Sequence, residues 1–274
     1  MTETDATFAA LLDRAITEPG VIMAAYHAFH NYSLGNQLLA WVQCLERGLP
    51  LGPLATFPGW MAKGRPVQKG SKALSLWQPI TVKTKGNPED PTDEGARFTR
   101  FRLRAAWFVL AQTAGADVTP DPLPTWDADR ACQALGVARI PFASLDGNTQ
   151  GYAQGRAIAI NPVAGLPLKT LCHELAHILL GHTEAGDETA RGLREVEAEA
   201  VALCCLAALD LPGQAECRGY IQRWNQGGGA IPEKSAQKIM KVAGQILTAG
   251  QATPEQDIAT EVDRAIATET GGDL

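Results

Sequence analysis

Residues 170–182, Thr-Leu-Cys-His-Glu-Leu-Ala-His-Ile-Leu-Leu-Gly-His, constrain this chain more than any other stretch. Leu168, Leu171, Cys172, Leu175, Ala176, Leu179 and Leu180 recur at helical spacing, and Gly181 reads as a helix C-cap. Positions four apart share a helix face, so His173 and His177 point the same way. An apolar helix that buries two imidazoles and a carboxylate must give them partners or lose stability. A divalent metal supplies them. In His-Glu-x-x-His two His ligate zinc and the Glu is general base. His173 and His177 are therefore candidate ligands and Glu174 the candidate catalytic base. Zn2+ is the expected cofactor, and the same donors accept Mn2+ or Co2+.

A third protein ligand is needed. A His two turns on, as in His-Glu-x-x-His-x-x-Gly-x-x-His, is ruled out because Gly181 and His182 fall at the wrong offsets from His177. Residues 188–210 give a second helical stripe, Leu193, Val196, Ala200, Leu203 and Ala207, with Gly213 just past its end. This helix holds Glu195, Glu197 and Glu199. Glu195 and Glu199 share a face, and each begins a Glu-x-x-Ala whose small residue lets two helices approach. Glu195 is taken as the third ligand and Glu199 as the carboxylate holding a ligand His from behind, although spacing alone also admits Glu199 as the ligand. Glu197 points elsewhere and reads as a solvated charge.

Residues 150–212 resemble the ImmA/IrrE family of metallopeptidases in this His-Glu-x-x-His and Glu-x-x-Ala layout. The resemblance implies metal ligands at His173, His177 and Glu195, a catalytic Glu174 and an unidentified protein or peptide substrate. The family's usual Asn four residues after the ligand Glu is Glu199 here. Gly151–Pro162 reads as a turn and strand before the zinc helix. In such peptidases that strand borders the cleft and pairs with extended substrate. Tyr152 on it reads as a packed ring, with oxyanion stabilisation as the rival role.

The net charge of −6 argues against nucleic acid, but the charge is segregated. Residues 47–112 hold eleven basic and four acidic side chains, a local excess of +7 that leaves −13 for the rest. Ala73–Ile80 and Phe98–Leu110 alternate as strands. Along the second, Phe101, Leu103 and Ala105 share one face and Arg100, Arg102 and Arg104 the other. A solvated sheet face carries such charge without function. Trp60, Trp77 and Trp107 nearby add a second possibility, in which basic groups neutralise phosphates while aromatic rings stack on unpaired bases.

Asn31-Tyr32-Ser33-Leu34-Gly35-Asn36-Gln37-Leu38-Leu39, Gly59-Trp60, Gly64–Ala73 and Trp107–Thr113 resemble the N-terminal domain of ArdC-type antirestriction proteins. That family joins a single-stranded-DNA-binding domain to a His-Glu-x-x-His metalloprotease-like domain, the order found here. The resemblance implies single-stranded DNA as a partner and a plasmid or other mobile element as origin. Candidate DNA contacts are Tyr32, Asn36, Trp60, Lys63, Arg65, Lys69, Lys72, Trp77, Arg100, Arg102 and Arg104.

Residues 6–48 read as two helices with an aromatic cluster between them, where His27 and His30 read as packed or hydrogen-bonded rather than ligating. Residues 81–97 read as a polar hairpin loop. The six Cys form no Cys-x-x-Cys and sit in apolar runs, which suits reduced core thiols. With no signal-like N-terminus and no membrane-length apolar run, a cytoplasmic protein without membrane association is expected. The expected fold class is α+β. A single-stranded-DNA-binding domain with an antiparallel sheet spans 1–113, and a linker spans 114–125. A mostly helical zincin-like metallopeptidase domain with a small sheet spans 126–250, and an acidic tail spans 251–274. Two other functions fit the same residues: a non-catalytic DNA-binding antirestriction protein with structural zinc, and a regulatory peptidase that cleaves a repressor.

Overall fold

The computed structural model describes residues 7–83, 97–144, 146–184 and 189–252. Much of the expected polar loop (84–96) and most of the acidic tail (253–274) lie outside the described residues. The first helices are α1 (Phe8–Thr17), α2 (Val21–Phe29) and α3 (Leu34–Glu46). Three form where two were expected. Pro19 forces Glu18 into extended backbone (φ −104°, ψ 104°), which ends α1 before the turn at Gly20. Next come β1 (Leu54–Thr56), α4 (Phe57–Ala62), β2 (Leu74–Lys83) and β3 (Arg97–Val109). The remainder is α5 (Ala128–Ala134), β4 (Ala138–Arg139), β5 (Gly151–Gln154), β6 (Ala157–Ile160), α6 (Pro167–Leu179), α7 (Arg191–Ala208), α8 (Gln214–Gln226) and α9 (Glu233–Ala249). The mixed α+β class expected from sequence is the one observed. No helix among the described residues is long and apolar enough to cross a membrane.

The chain divides into two compact units, neither continuous in sequence. Among described residues the first contains 28–32 and 36–121, and the second 7–27, 33–35 and 122–252. Residues 7–27, read from sequence with the N-terminal domain, thus group with the C-terminal helices. Helix α1 buries Leu11, Leu12, Ala15 and Ile16 and packs on α9, and charged groups fix its two ends. Glu233 on α9 accepts from Phe8 N and Ala9 N at 3.1 and 2.8 Å, and Arg218 on α8 donates to Ala15 O at 3.0 Å and also to Ile16 O. A carboxylate thus sits on the positive end of α1 and a guanidinium on its negative end.

In the first unit the sheet order is β1-β3-β2, antiparallel throughout. Its core is Phe29, Ala40, Cys44, Leu54, Leu74, Leu76, Trp107 and Val109. As the edge strand, β2 must satisfy backbone groups that face away from β3. Two amides on α3 do so. Asn36 Nδ2 donates to Trp77 O at 3.0 Å while Trp77 N–H donates to Asn36 Oδ1 at 2.8 Å. Gln43 holds Ser75 O and N–H in the same way, at 2.8 and 2.9 Å. Opposite Leu74 and Ser75 the register slips by one residue, so β3 bulges at Ala106. The bulge keeps Trp107 on the side of Leu74 and puts Arg104, Arg102 and Arg100 opposite Leu76, Gln78 and Ile80. The arginines therefore extend the sheet face that buries Leu76, while Phe101 on the other face is 51% exposed.

In the second unit a small sheet of order β4-β6-β5 packs on α6, with β4 parallel and β5 antiparallel to β6. Helix α7 is packed against α6, α8 and α9 and is buried continuously from Val196 to Ala208. All six cysteines are buried free thiols.

Candidate metal centre

Pro167 opens α6 with a fixed φ where no helical N–H is needed, and Leu171, Leu175 and Ile178 bury its inner face. His173 and His177 then project together, with their Nε2 atoms 3.1 Å apart. Glu195, near the start of α7, brings Oε2 to 3.5 Å from His173 Nε2 and 3.7 Å from His177 Nε2. These residues form the one group of metal-competent donors found among the described residues. Donors at ~2.05 Å from a tetrahedral zinc lie ~3.3 Å from one another. The triangle observed has that size. Lone pairs that converge this closely repel unless a proton or a cation lies between them, so the donor set fits a divalent ion.

Glu174 faces the same cleft, about 400 Å³ in volume, with Gly151, Tyr152 and Ala153 of β5 as one wall and Arg191 and Arg194 on another. Burial pushes the Glu174 carboxyl up, and nearby Glu195 adds to this. The charges of His173 and His177 and a hydrogen bond with the Ala153 backbone partly offset it. Glu195 is held well below the usual carboxylate range by the imidazoles of His173 and His177 beside it. The two carboxyls are thus driven apart, one toward taking a proton and one toward staying charged. Gly151 lets β5 lie directly on α6. A Cβ there would meet Thr170 Cγ2 at 2.6 Å and Ala159 O at 2.9 Å. Tyr152 packs against Phe142, ring centroids 5.8 Å apart, and lines the cleft.

Glu199 lies behind His173. Its Oε1 is 3.5 Å from His173 Nδ1 and takes a 2.8 Å ion pair from Lys169. The reading of Glu197 as a solvated charge is corrected. It is 2% exposed, and its Oε2 is 2.8 Å from His182 Nε2. Burial alone would raise its pKa, but hydrogen bonds from His182 and Ser235 and the charge of Lys238 leave it lowered. His182, set aside as a ligand, instead meets His177 edge to edge, Nδ1 to Nδ1 at 3.1 Å. The signal for this was the Gly181-His182 pair after the helix. His27 is exposed, and among the described residues the one group of metal-competent donors includes neither it nor His30.

The eleven candidate DNA contacts separate by role. Trp60 is wholly buried and its Nε1 donates to Phe108 O at 2.7 Å, so it cannot stack on a base in the folded protein. Arg65 is 8% exposed and donates Nε to Thr113 Oγ1 at 2.9 Å. Tyr32 donates its hydroxyl to Leu54 O at 2.8 Å, and Asn36 clamps β2. These four hold the fold. Lys63, Lys69, Lys72, Arg100, Arg102 and Arg104 are exposed, and Trp77 is half-buried.

Residues 14–106 match the profile of the N-terminal domain of anti-restriction factor ArdC. Two crystal structures of the antirestriction ArdC protein from plasmid R388 match over 89% of this chain at 19% identity. The metal-free one gives a TM-score of 0.51 over 94% of its own chain, and the Mn(II)-bound one 0.53 over 97%. The chain has the ArdC fold. That likeness reaches well beyond residues 14–106. A comparison with curated protein sequences found no match.

Proposed function

We propose that this chain is an ArdC-like antirestriction protein that binds single-stranded DNA through its first unit and hydrolyses peptide bonds at a divalent metal in its second. The observation that carries the hydrolytic half is the His173–His177–Glu195 triangle with Glu174 in the same cleft. That the R388 ArdC protein has a Mn(II)-bound structure supports a divalent ion here, Zn2+ or Mn2+. When bound, such an ion would supply a Lewis acid that polarises the peptide carbonyl. His173 Nε2, His177 Nε2 and Glu195 Oε2 would hold it. Glu174, its carboxyl pushed up by burial, takes a proton from attacking water and returns it to the leaving amine. The β5 backbone lies along the cleft, where an extended peptide can pair with it. In the first unit the exposed arginines of β3 face phosphates, and the DNA-bound state brings the hydrolytic cleft to its protein substrate.

The test is Glu174→Gln in the full chain. It should bind Zn(II) and single-stranded DNA as the wild type does and lose cleavage of proteins that accompany transferred DNA. Undiminished cleavage by this variant would refute the catalytic role. DNA protection that survives Glu174→Gln but not loss of Arg102 and Arg104 would favour a purely DNA-binding function.

A further inference from the structure

Helix α6 ends in a Schellman turn. Gly181, at φ +84°, donates its N–H to Ile178 O at 3.2 Å, and His182 N–H donates to His177 O at 2.9 Å. This turn folds the residue after the glycine back over the third residue from the helix end, where an apolar pair commonly sits. Here the pair is His182 and His177, with Nδ1 atoms 3.1 Å apart and rings inclined at 64°. His182 Nε2 continues to Glu197 Oε2 at 2.8 Å, and both side chains are only 3% exposed. A buried imidazole and carboxylate cost more desolvation than their attraction returns unless further hydrogen bonds are made, and Ser235 supplies one to Glu197.

We propose, building on the metal-centre reading above, that Glu197 and His182 are positioning residues that fix the tautomer of His177. A carboxylate only accepts, so His182 carries its proton on Nε2. The Nδ1–Nδ1 contact holds one proton, and because His177 Nε2 faces the other metal donors, that proton sits on His177 Nδ1 and His182 Nδ1 accepts it. The lone pair of His177 is left on Nε2, the atom that faces His173 and Glu195. One ligand is thus set before any cation arrives. The other is not: His173 Nδ1 has no hydrogen-bond partner and stands 3.5 Å from Glu199 Oε1. The 3.1 Å contact between the two Nε2 atoms needs one proton, and with His177 fixed that proton belongs to His173. Cation binding therefore moves the His173 proton from Nε2 to Nδ1, toward Glu199, and leaves His177 unchanged.

Long-range 1H–15N correlation spectra of the full chain, metal-free and with Zn(II), test this, because only five imidazoles must be assigned. Expected in both states are His182 with Nε2–H and His177 with Nδ1–H, while His173 changes tautomer. His177 found with Nε2–H in the metal-free protein, or His182 with Nδ1–H, overturns the proposal. Calorimetric Zn(II) titration adds a second readout. His182→Leu and Glu197→Gln should weaken binding by about 10- to 100-fold. His182→Asn, whose Oδ1 stands near the lost Nδ1, should recover part of it. Wild-type affinity in folded His182→Leu also overturns the proposal. If the buried substitutions unfold the chain, the wild-type spectra decide alone. A wild type that takes up no Zn(II) sinks the metal reading instead, and the metal-free spectrum still reports both tautomers.

Discussion

Arg100, Arg102 and Arg104 lie at alternate positions of β3, all exposed, on the face shared with Leu76, Gln78 and Ile80. Alternate strand residues are ~6.8 Å apart, so the three can engage separate phosphates of one strand. Each phosphate neutralised on single-stranded DNA contributes ~0.7 to the slope of log affinity against log salt. Replacing all three by Ala should therefore lower the slope by about 2. Over a rise from ~50 to ~200 mM salt the wild type should lose roughly twentyfold more affinity than the variant. Stability should change by no more than ~0.5 kcal/mol per site, since these are surface positions outside the core. Fluorescence anisotropy with a labelled oligo-dT across a salt series reads the slope, and a thermal melt checks the fold. A triple variant with wild-type slope refutes the reasoning. So does a Lys63, Lys69 and Lys72 triple-Ala variant that alone abolishes the salt dependence, because the DNA track would then run over the turns and not the ribbon.

Trp60→Phe should cost about 1–3 kcal/mol in chemical denaturation, because it strips Phe108 O of its donor, and should leave the salt slope intact. Asn36→Ala, which unclamps both backbone groups of Trp77, should destabilise by about 2–4 kcal/mol with the same unchanged slope. Gly151→Ala forces β5 away from α6 and should reduce peptide cleavage more than Zn(II) affinity, since β5 supplies no metal donor. Burial pushes the Cys204 thiol up to about 12, so the folded state keeps a proton that the unfolded state releases. The resulting stability is complete below the unfolded value of ~8.5 and is lost as pH rises toward the folded one. Cys204→Ala should flatten the alkaline decline of stability by one proton's worth of slope; an unchanged slope in urea titrations from pH 8 to 10.5 contradicts this.

What the sequence made legible is what one element decides alone. The period of α6 placed His173 and His177 on one face with Glu174 beside the first of them, and the Glu-x-x-Ala steps narrowed the third donor to Glu195 or Glu199 on α7 before any contact was known. Glu197 was misread because periodicity assumes that a helix has one wet side. With α6, α8 and α9 all packed on it, α7 has none along 196–208, and a charge off the ligand face lands in the interior beside His182. The same limit applies to the first unit. Trp60, Asn36 and Arg65 have the right chemistry for DNA, but each meets a backbone or hydroxyl group about 40 or more residues away in the chain, and no local pattern announces that. One missed feature was readable. A helix that ends Gly-His, with a ligand His four residues before the glycine, must fold the second imidazole onto the first, because the left-handed glycine fixes which residues meet. His182 therefore follows from His177 and Gly181 by backbone geometry alone. The acid behind it does not, because its burial is set by a third helix.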